Sequence, residues 1–231
     1  MRRPARIAID GPAGSGKSTV GEQLAHTLGY LYVDTGAMYR ALAWLALQEQ
    51  INVSDAATLV HTLQQAEIVV SRPTVADGRQ YTVTVNGRDI TWEIRSAPVT
   101  QTVSAVSTHS QVREIMRARQ RALAAQEQGV VMVGRDIGSV VLADAELKIY
   151  LNASLEERAE RRRSELVTRQ GSEDGLPTLD EVIEDIRRRD ALDHDNMRPA
   201  HDAIVIMTDN LSVPQVLEMI AGYLEKTEES R

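Results

Sequence analysis

The residues best suited to chemistry lie in one stretch near the N-terminus: Ile7-Ala8-Ile9-Asp10-Gly11-Pro12-Ala13-Gly14-Ser15-Gly16-Lys17-Ser18-Thr19. An apolar run leads into a pattern that fits G-x-x-x-x-G-K-[ST], and Val20, Leu24, Ala25 and Leu28 continue it with amphipathic spacing. Strand, glycine-rich loop and helix in that order are the context a phosphate-binding loop requires. The glycines let successive backbone N–H groups turn inward onto phosphate oxygens, and a helix opening near Lys17 adds its own N–H groups and positive dipole end. Lys17 can reach the β- and γ-phosphates, and the Ser18 hydroxyl can ligate Mg²⁺. Pro12, Ala13, Ser15 and Thr19 complete the loop. The stretch implies binding of a nucleoside triphosphate.

A loop of this kind holds its shape only when its strand and helix are packed into a larger sheet, and the rest of the chain reads as that sheet. Leu31-Tyr32-Val33, Gly129 to Gly134, Leu147 to Leu151 and Ala203 to Met207 are short apolar runs alternating with helical patterns. With the first run they predict five parallel strands covered on both faces by helices, an α/β fold of the P-loop type. Helix starts are announced by Asp34 or Thr35, by Ser54 for a helix over 55–66, and by the pairs Ser154/Glu157, Thr178/Glu181 and Ser212/Gln215. Between residues 68 and 90 the period changes to two, with Asp77-Gly78 and Asn86-Gly87 as hairpin signals. This predicts a small antiparallel meander inserted into the βα pattern, followed by helical sequence from Pro98, with breaks, to Gln126. The polar stretch Gln170 to Gly175 reads as a mobile loop.

Composition sets bounds. The chain has 231 residues, 42% hydrophobic and 26% charged, as for an ordinary globular protein. It has no cysteine, which excludes disulfides, thiolate metal sites and cysteine nucleophiles, and no phenylalanine. A net charge of −7 argues against a nucleic-acid partner. Arg2, Arg3 and Arg6 precede no apolar leader, and no run approaches a membrane span, so a cytoplasmic protein with no membrane partner is expected. Lysine occurs only at 17, 148 and 226, and the rest of the 26 basic residues are arginine, whose planar fork matches phosphate oxygens.

Where those arginines fall matters more than their number. In open parallel sheets, ligands collect at the carboxyl ends of the strands. Asp10-Gly11, Asp34-Thr35, Arg135-Asp136 and Asn152 leave those ends, and Arg40 sits one turn into the helix that begins at Thr35. A helix N-terminus favours anions, so an arginine there points to a bound anion. Arg40 and Arg135 therefore suggest a second anion beside the first, the arrangement that phosphoryl transfer to a phosphate acceptor needs.

The combination GPAGSGKST, DTGAMYR and GRDIGSVVLADA closely resembles the bacterial cytidylate kinases, nucleoside monophosphate kinases of the P-loop class. The likeness runs over nearly the whole chain and includes Asp89 to Arg95, Val112-Arg113 and Arg189-Asp190-x-x-Asp193. It implies one P-loop kinase domain over 1–231, with a monophosphate-binding subdomain inserted at 64–100 and a lid at 158–178. It implies transfer of the γ-phosphate of ATP to CMP or dCMP with Mg²⁺, in a monomer whose partners are these nucleotides. By the resemblance, Thr35, Ser104, Arg113 and Asp136 surround the cytosine, and Arg40 and Arg135 clamp the acceptor phosphate. Arg189 and Asp193 lie near phosphate and ribose, and the lid arginines from Arg158 to Arg163, among them Arg158 and Arg162, close over ATP.

Several of these residues have plainer readings on sequence alone. Ser104 sits in a small-residue helix where packing suffices. Arg113, Arg117 and Arg121 at i, i+4, i+8 also describe one solvated face, and Arg161 to Arg163 can pair with neighbouring glutamates. Asp136 can salt-bridge Arg135 or cap a turn. The chain also departs from the family's R-D-x-x-D-x-x-R: Asn196 stands at the last arginine, and Arg198, two residues on, is the candidate replacement, with pairing to Asp195 or Asp202 as the alternative. Rival functions are a kinase for UMP, AMP or dTMP, and a non-catalytic nucleotide-dependent binding module.

Overall fold

A computed structural model describes residues 4–172 and 175–229. In chain order the strands are β1 (Arg6–Asp10), β2 (Leu31–Asp34), β3 (Ile68–Ser71), β4 (Thr82–Val85), β5 (Arg88–Asp89), β6 (Val130–Gly134), β7 (Leu147–Asn152) and β8 (Ile204–Met207). The α-helices are α1 (Lys17–Leu28), α2 (Thr35–Gln48), α3 (Ala56–Gln65), α4 (Ala97–Ser107), α5 (Ser110–Gln126), α6 (Leu155–Gln170), α7 (Leu179–Asp193) and α8 (Val213–Glu229). Five strands form the main sheet in the order β2-β6-β1-β7-β8, and β3-β4-β5 form a second, three-stranded sheet. The fold is α/β of the P-loop type, as the alternating pattern predicts.

The chain divides into two compact units, Met1–Gly21 with Arg135–Arg231, and Glu22–Gly134. In the first, β1 pairs with β7 and β7 with β8, all parallel. Ile7, Ala8 and Ile9 have no exposed surface, because a parallel strand with helices on both faces is buried on both sides. Helices α6 and α7 share a small core of Ala159, Val182 and Ile186, flanked by Leu155 and Ile183. Helix α6 and the described residues up to the Thr178 cap of α7 cover the segment expected to be a lid; of the expected mobile loop, residues 173 and 174 lie outside the described residues.

In the second unit, β2 runs parallel to β6, and β3, β4 and β5 make the antiparallel meander. Leu42, Leu59, Ile90, Ile94, Met116 and Met132 are fully buried, so branched aliphatics and methionine fill the space left by the missing phenylalanine. The Arg119 guanidinium donates to the carbonyls of Leu63 and Ala66 at 2.6 and 3.0 Å, tying α5 to the end of α3.

Local signals are met in part. Asp34 caps α2 by accepting from the Gly36 N–H, and Thr178 with Glu181 makes a complete capping box. Ser54 does not cap α3. Asp55 does, because its carboxylate reaches both the Ala57 and Thr58 N–H groups at 3.1 Å. Ser154 accepts from the Glu157 N–H, but its own N–H goes to Asp209, which completes the cap from a distant loop. Asn86-Gly87, both at positive φ, form the tight β4–β5 turn. Asp77-Gly78 instead lies within the longer 72–81 loop. There Arg79 binds Asp77 and Asp89, and these ion pairs close the loop in place of a two-residue turn.

Candidate functional site

In the first unit β1 ends at Asp10 and the glycine-rich loop begins. Gly11 has φ 149° and Gly14 φ 80°. A Cβ on Gly11 would overlap the Leu151 carbonyl oxygen of the neighbouring strand, and one on Gly14 would lie 2.9 Å from both Cβ and carbonyl of Arg158. The backbone passes too close to its surroundings for any side chain at either position. Pro12 and Ser15 are buried, Thr19 is exposed, and Ala13, Gly14, Gly16 and Ser18 are half-buried. Lys17 is 8% exposed, and its ammonium donates to the Pro12 carbonyl at 2.8 Å, so it lies folded over its own loop. The Val20 N–H is held by the Gly16 carbonyl at 3.0 Å; the N–H groups before it emerge from the end of α1, where a phosphate would meet them.

A cavity of about 700 Å³ opens beside this loop. Its lining comes from Gly14, Ser15, Gly16, Thr19 and Val20 on one side, α6 on another, and Thr208 with the residues leading into the first turn of α8 on a third. Thr208 is 2% exposed, and its hydroxyl lies 3.2 Å from the Ser15 carbonyl and 3.1 Å from that of Asn152. Arg161 donates to the Thr208 hydroxyl and carbonyl at 2.9 and 2.6 Å and pairs with Glu157 at 2.8 Å. Arg158 is 7% exposed; it donates to the Ala13 carbonyl at 3.3 Å and pairs with Asp190 of α7 at 2.7 Å. Of the two lid arginines singled out by the sequence, Arg158 therefore braces the loop. Arg162 pairs with Glu165 and is not among the cavity's lining residues, whereas Arg161 is.

Arg135 and Asp136 open the segment that follows β6. The Arg135 Nε donates to Asp193 of α7 at 3.1 Å, which joins two predicted acceptor residues. Asp136 is 7% exposed, and its carbonyl accepts from Val140 and Val141, starting a π-helical turn over Ile137–Val141. Asp10 holds that turn: its carboxylate oxygens accept from the Ile137 and Gly138 N–H groups, each at 2.8 Å. Burial, with a further push from the charge of Asp136, raises the Asp10 pKa to about 6 against the pull of the two N–H bonds and Lys17. One residue thus anchors both the phosphate loop and the Arg135-Asp136 segment.

Arg189 pairs with Asp185 on its own helix at 2.8 Å. Tyr150 donates to the Met197 carbonyl at 2.9 Å, fixing the turn after α7. Beyond it Arg198 is exposed, and Asp202, one of its two possible surface partners, is held by Lys148 at 2.9 Å.

The second unit carries the remaining predicted residues. Thr35 is buried and donates to the Val133 carbonyl at 2.9 Å, so its hydroxyl ties the start of α2 to the adjacent strand. Arg40 donates to the Thr100 hydroxyl at 2.8 Å and the Ile94 carbonyl at 3.4 Å, both neutral acceptors. Ser104 is half-buried on α4. Arg113 and Arg117 are half-buried while Arg121 is exposed, so the three do not form a uniformly solvated face.

Sequence reasoning assigned no role to Asp10, Thr208 or Arg95, and gave Arg161 only as one of the lid arginines from Arg158 to Arg163. Asp10 was visible as the residue leaving β1. For Arg161 and Thr208 no local signal exists, because their roles depend on contacts between α6 and the turn after β8.

The model of the cytidylate kinase family matches residues 7–226. A cytidylate kinase of Herpetosiphon aurantiacus is 50% identical over 224 residues, covering 97% of this chain and 96% of that protein. One of Roseiflexus castenholzii is 50% identical over 221 residues, covering 95% and 93%. One of Bacillus subtilis is 44% identical over 230 residues, covering 98% and 99%. With its phosphate loop complete and the family match running from the first strand into the last helix, the chain belongs to the cytidylate kinase family.

Proposed function

We propose that the chain transfers the γ-phosphate of ATP to CMP or dCMP, giving ADP and CDP or dCDP. The observation that carries this reading is the complete phosphate loop at the head of α1, with Lys17 folded against it and a nucleotide-sized cavity alongside. The residues present suit Mg²⁺. The Ser18 hydroxyl stands at the first turn of α1, and Mg²⁺ is commonly bound by one or two protein oxygens together with substrate phosphates. Bound there, the ion would neutralise phosphate charge. Gly11 to Thr19 would hold the triphosphate, Lys17 would stabilise the oxygens on which charge builds, and Arg158 and Arg162 would serve the donor side from the lid.

On the acceptor side, Thr35, Ser104, Arg113 and Asp136 would read the base. Arg40, Arg135, Arg189 and Asp193 would orient phosphate and ribose, with Arg198 as a further acceptor contact. A phosphate oxygen near neutral pH is already a nucleophile, so no general base or covalent intermediate is required. Catalysis then rests on positioning and charge neutralisation. We place the protein in the cytoplasm as a monomer without nucleic-acid or membrane partners; no helix among the described residues is long and apolar enough to cross a membrane.

A coupled ADP-release assay over CMP, dCMP, UMP, AMP and dTMP tests the reading. CMP or dCMP should give the highest kcat/KM; a different best acceptor overturns the base assignment, and no acceptor-dependent ADP release overturns the kinase reading. Asp136→Asn should narrow the preference for CMP over UMP by about 1–3 kcal/mol, because a carboxylate accepts from the cytosine amine and repels the uracil carbonyl. Equal loss on both substrates would mean that Asp136 only supports its own segment. Arg198→Ala should raise the KM for CMP roughly ten-fold, about 1.4 kcal/mol, and leave the KM for ATP unchanged. Unchanged kinetics would remove Arg198 from the site.

A further inference from the structure

Arg95 ends a short 3₁₀ turn, Glu93–Arg95, in the second unit. Its guanidinium carbon lies 5.5 Å from the centroid of the Tyr81 ring and 5.6 Å from that of Trp92. Trp92 is itself held by donation from Nε1 to Asp77 at 3.0 Å. Two aromatic rings thus stand beside one cation. Its hydrogen bonds are weak by comparison: Nη2 reaches the Tyr81 hydroxyl at 3.3 Å and the Gln80 side-chain oxygen at 3.5 Å, both neutral. The Nε–H is buried and has no hydrogen-bond partner among the described residues.

Neighbouring arginines are placed differently. Arg79 binds Asp77 and Asp89, Arg88 pairs with Glu93 at 3.5 Å, and Arg72 pairs with Glu127 at 3.3 Å. Arg95 has no carboxylate within ion-pair distance among the described residues. A half-buried guanidinium has lost part of its hydration, and an unfilled donor there costs free energy that only an acceptor can restore. Nε and Nη2 form one edge of the planar fork, the edge that engages an oxyanion through two parallel bonds. A cation held beside aromatic rings can still donate to an oxyanion, because the ring contact uses none of its N–H groups.

The kind of anion follows from what stands beside it. Arg40 donates to the carbonyl of Ile94, the residue next to Arg95, so two guanidinium side chains flank one turn. Both also act on the Tyr81 hydroxyl, whose pKa is pushed up by burial and the charge of Asp34 and pulled down by Arg95 and Arg40. Asp34, the one carboxylate in that set, accepts from the Gly36 N–H as the cap of α2. We infer that Arg95 is a phosphate-binding residue of the acceptor site, presenting its Nε/Nη2 edge to the monophosphate that Arg40 also contacts. The inference rests on the proposed acceptor role of Arg40.

Comparing CMP with cytidine isolates the phosphate. Arg95→Met keeps an unbranched stem beside the two rings and removes the charged fork. Binding of CMP, by calorimetry, should weaken at least about ten-fold, while binding of cytidine, which lacks the phosphate, should stay within about two-fold. Arg95→Lys, which keeps a charge without the fork, should show a smaller loss confined to CMP, and it carries the same comparison if the methionine variant does not fold. An unchanged CMP affinity, or equal loss for CMP and cytidine, overturns the inference. Failure of the wild-type protein to bind and phosphorylate CMP would instead overturn the acceptor reading on which it rests.

Discussion

Lys17→Ala should lower turnover by at least about a hundred-fold while leaving the fold intact. The ammonium lies over the Pro12 carbonyl of its own loop, five residues back along the chain. Folding therefore needs it little, and the triphosphate needs it greatly. Charge moves onto the phosphoryl oxygens as the bond to the leaving group lengthens, so the interaction strengthens between ground state and transition state, and its loss appears mainly in kcat. The measurement is ADP release at saturating ATP and CMP, with thermal unfolding as the control. A folded variant retaining more than about a tenth of wild-type turnover would contradict the assigned role.

Gly11→Ala should act in the opposite sense, through structure first. Gly11 is held at φ 149°, and a Cβ there overlaps the Leu151 carbonyl oxygen on β7 and comes within 2.9 Å of the buried Ser15 hydroxyl oxygen. The carbonyl belongs to a strand paired in register with β1, Asp10 opposite Tyr150, so it cannot withdraw without breaking the ladder. Backbone strain and overlap together should cost about 3 kcal/mol or more. For a protein of this size that is a fall in Tm of roughly 6–12 °C, and the loop geometry for ATP should be lost with it. A variant with wild-type Tm and wild-type ATP affinity would show that the loop tolerates a side chain there.

The parts legible in the sequence are those whose physics is local. The phosphate loop is one, since eight consecutive positions supply the glycines, the lysine and the hydroxyl, and strand and helix flank them directly. Asn86-Gly87 is another, because the two positive φ values of the tight turn are a property of those two residues. The Thr178 and Glu181 box closes within one helical turn. The five apolar runs were readable as strands because burial on both faces removes the alternation that polar exposure would impose. The cytosine-facing and phosphate-facing residues were legible only through resemblance, since no spacing rule singles out Ser104 or Arg113 from other helical residues.

What the tertiary structure decided concerns partners far apart in sequence. Ser54 and Asp55 are adjacent and both plausible caps, and only the backbone's path into α3 lets Asp55 reach two N–H groups. Asp77-Gly78 has the composition of a tight turn, yet Arg79 draws Asp77 and Asp89 together and stabilises a longer loop instead. Arg161 and Arg162 are indistinguishable in a run of arginines. A helical step of about 100° separates them, so Arg161 meets Thr208 at the cavity while Arg162 turns to Glu165. Asp10 anchors a turn 127 residues away, and Arg95 lies beside rings at positions 81 and 92. Sequence determines which residue types are available at each of these places. Which of them meet is set by how helices and strands pack, because side-chain partnership depends on distance in space and the chain's local pattern carries no record of it.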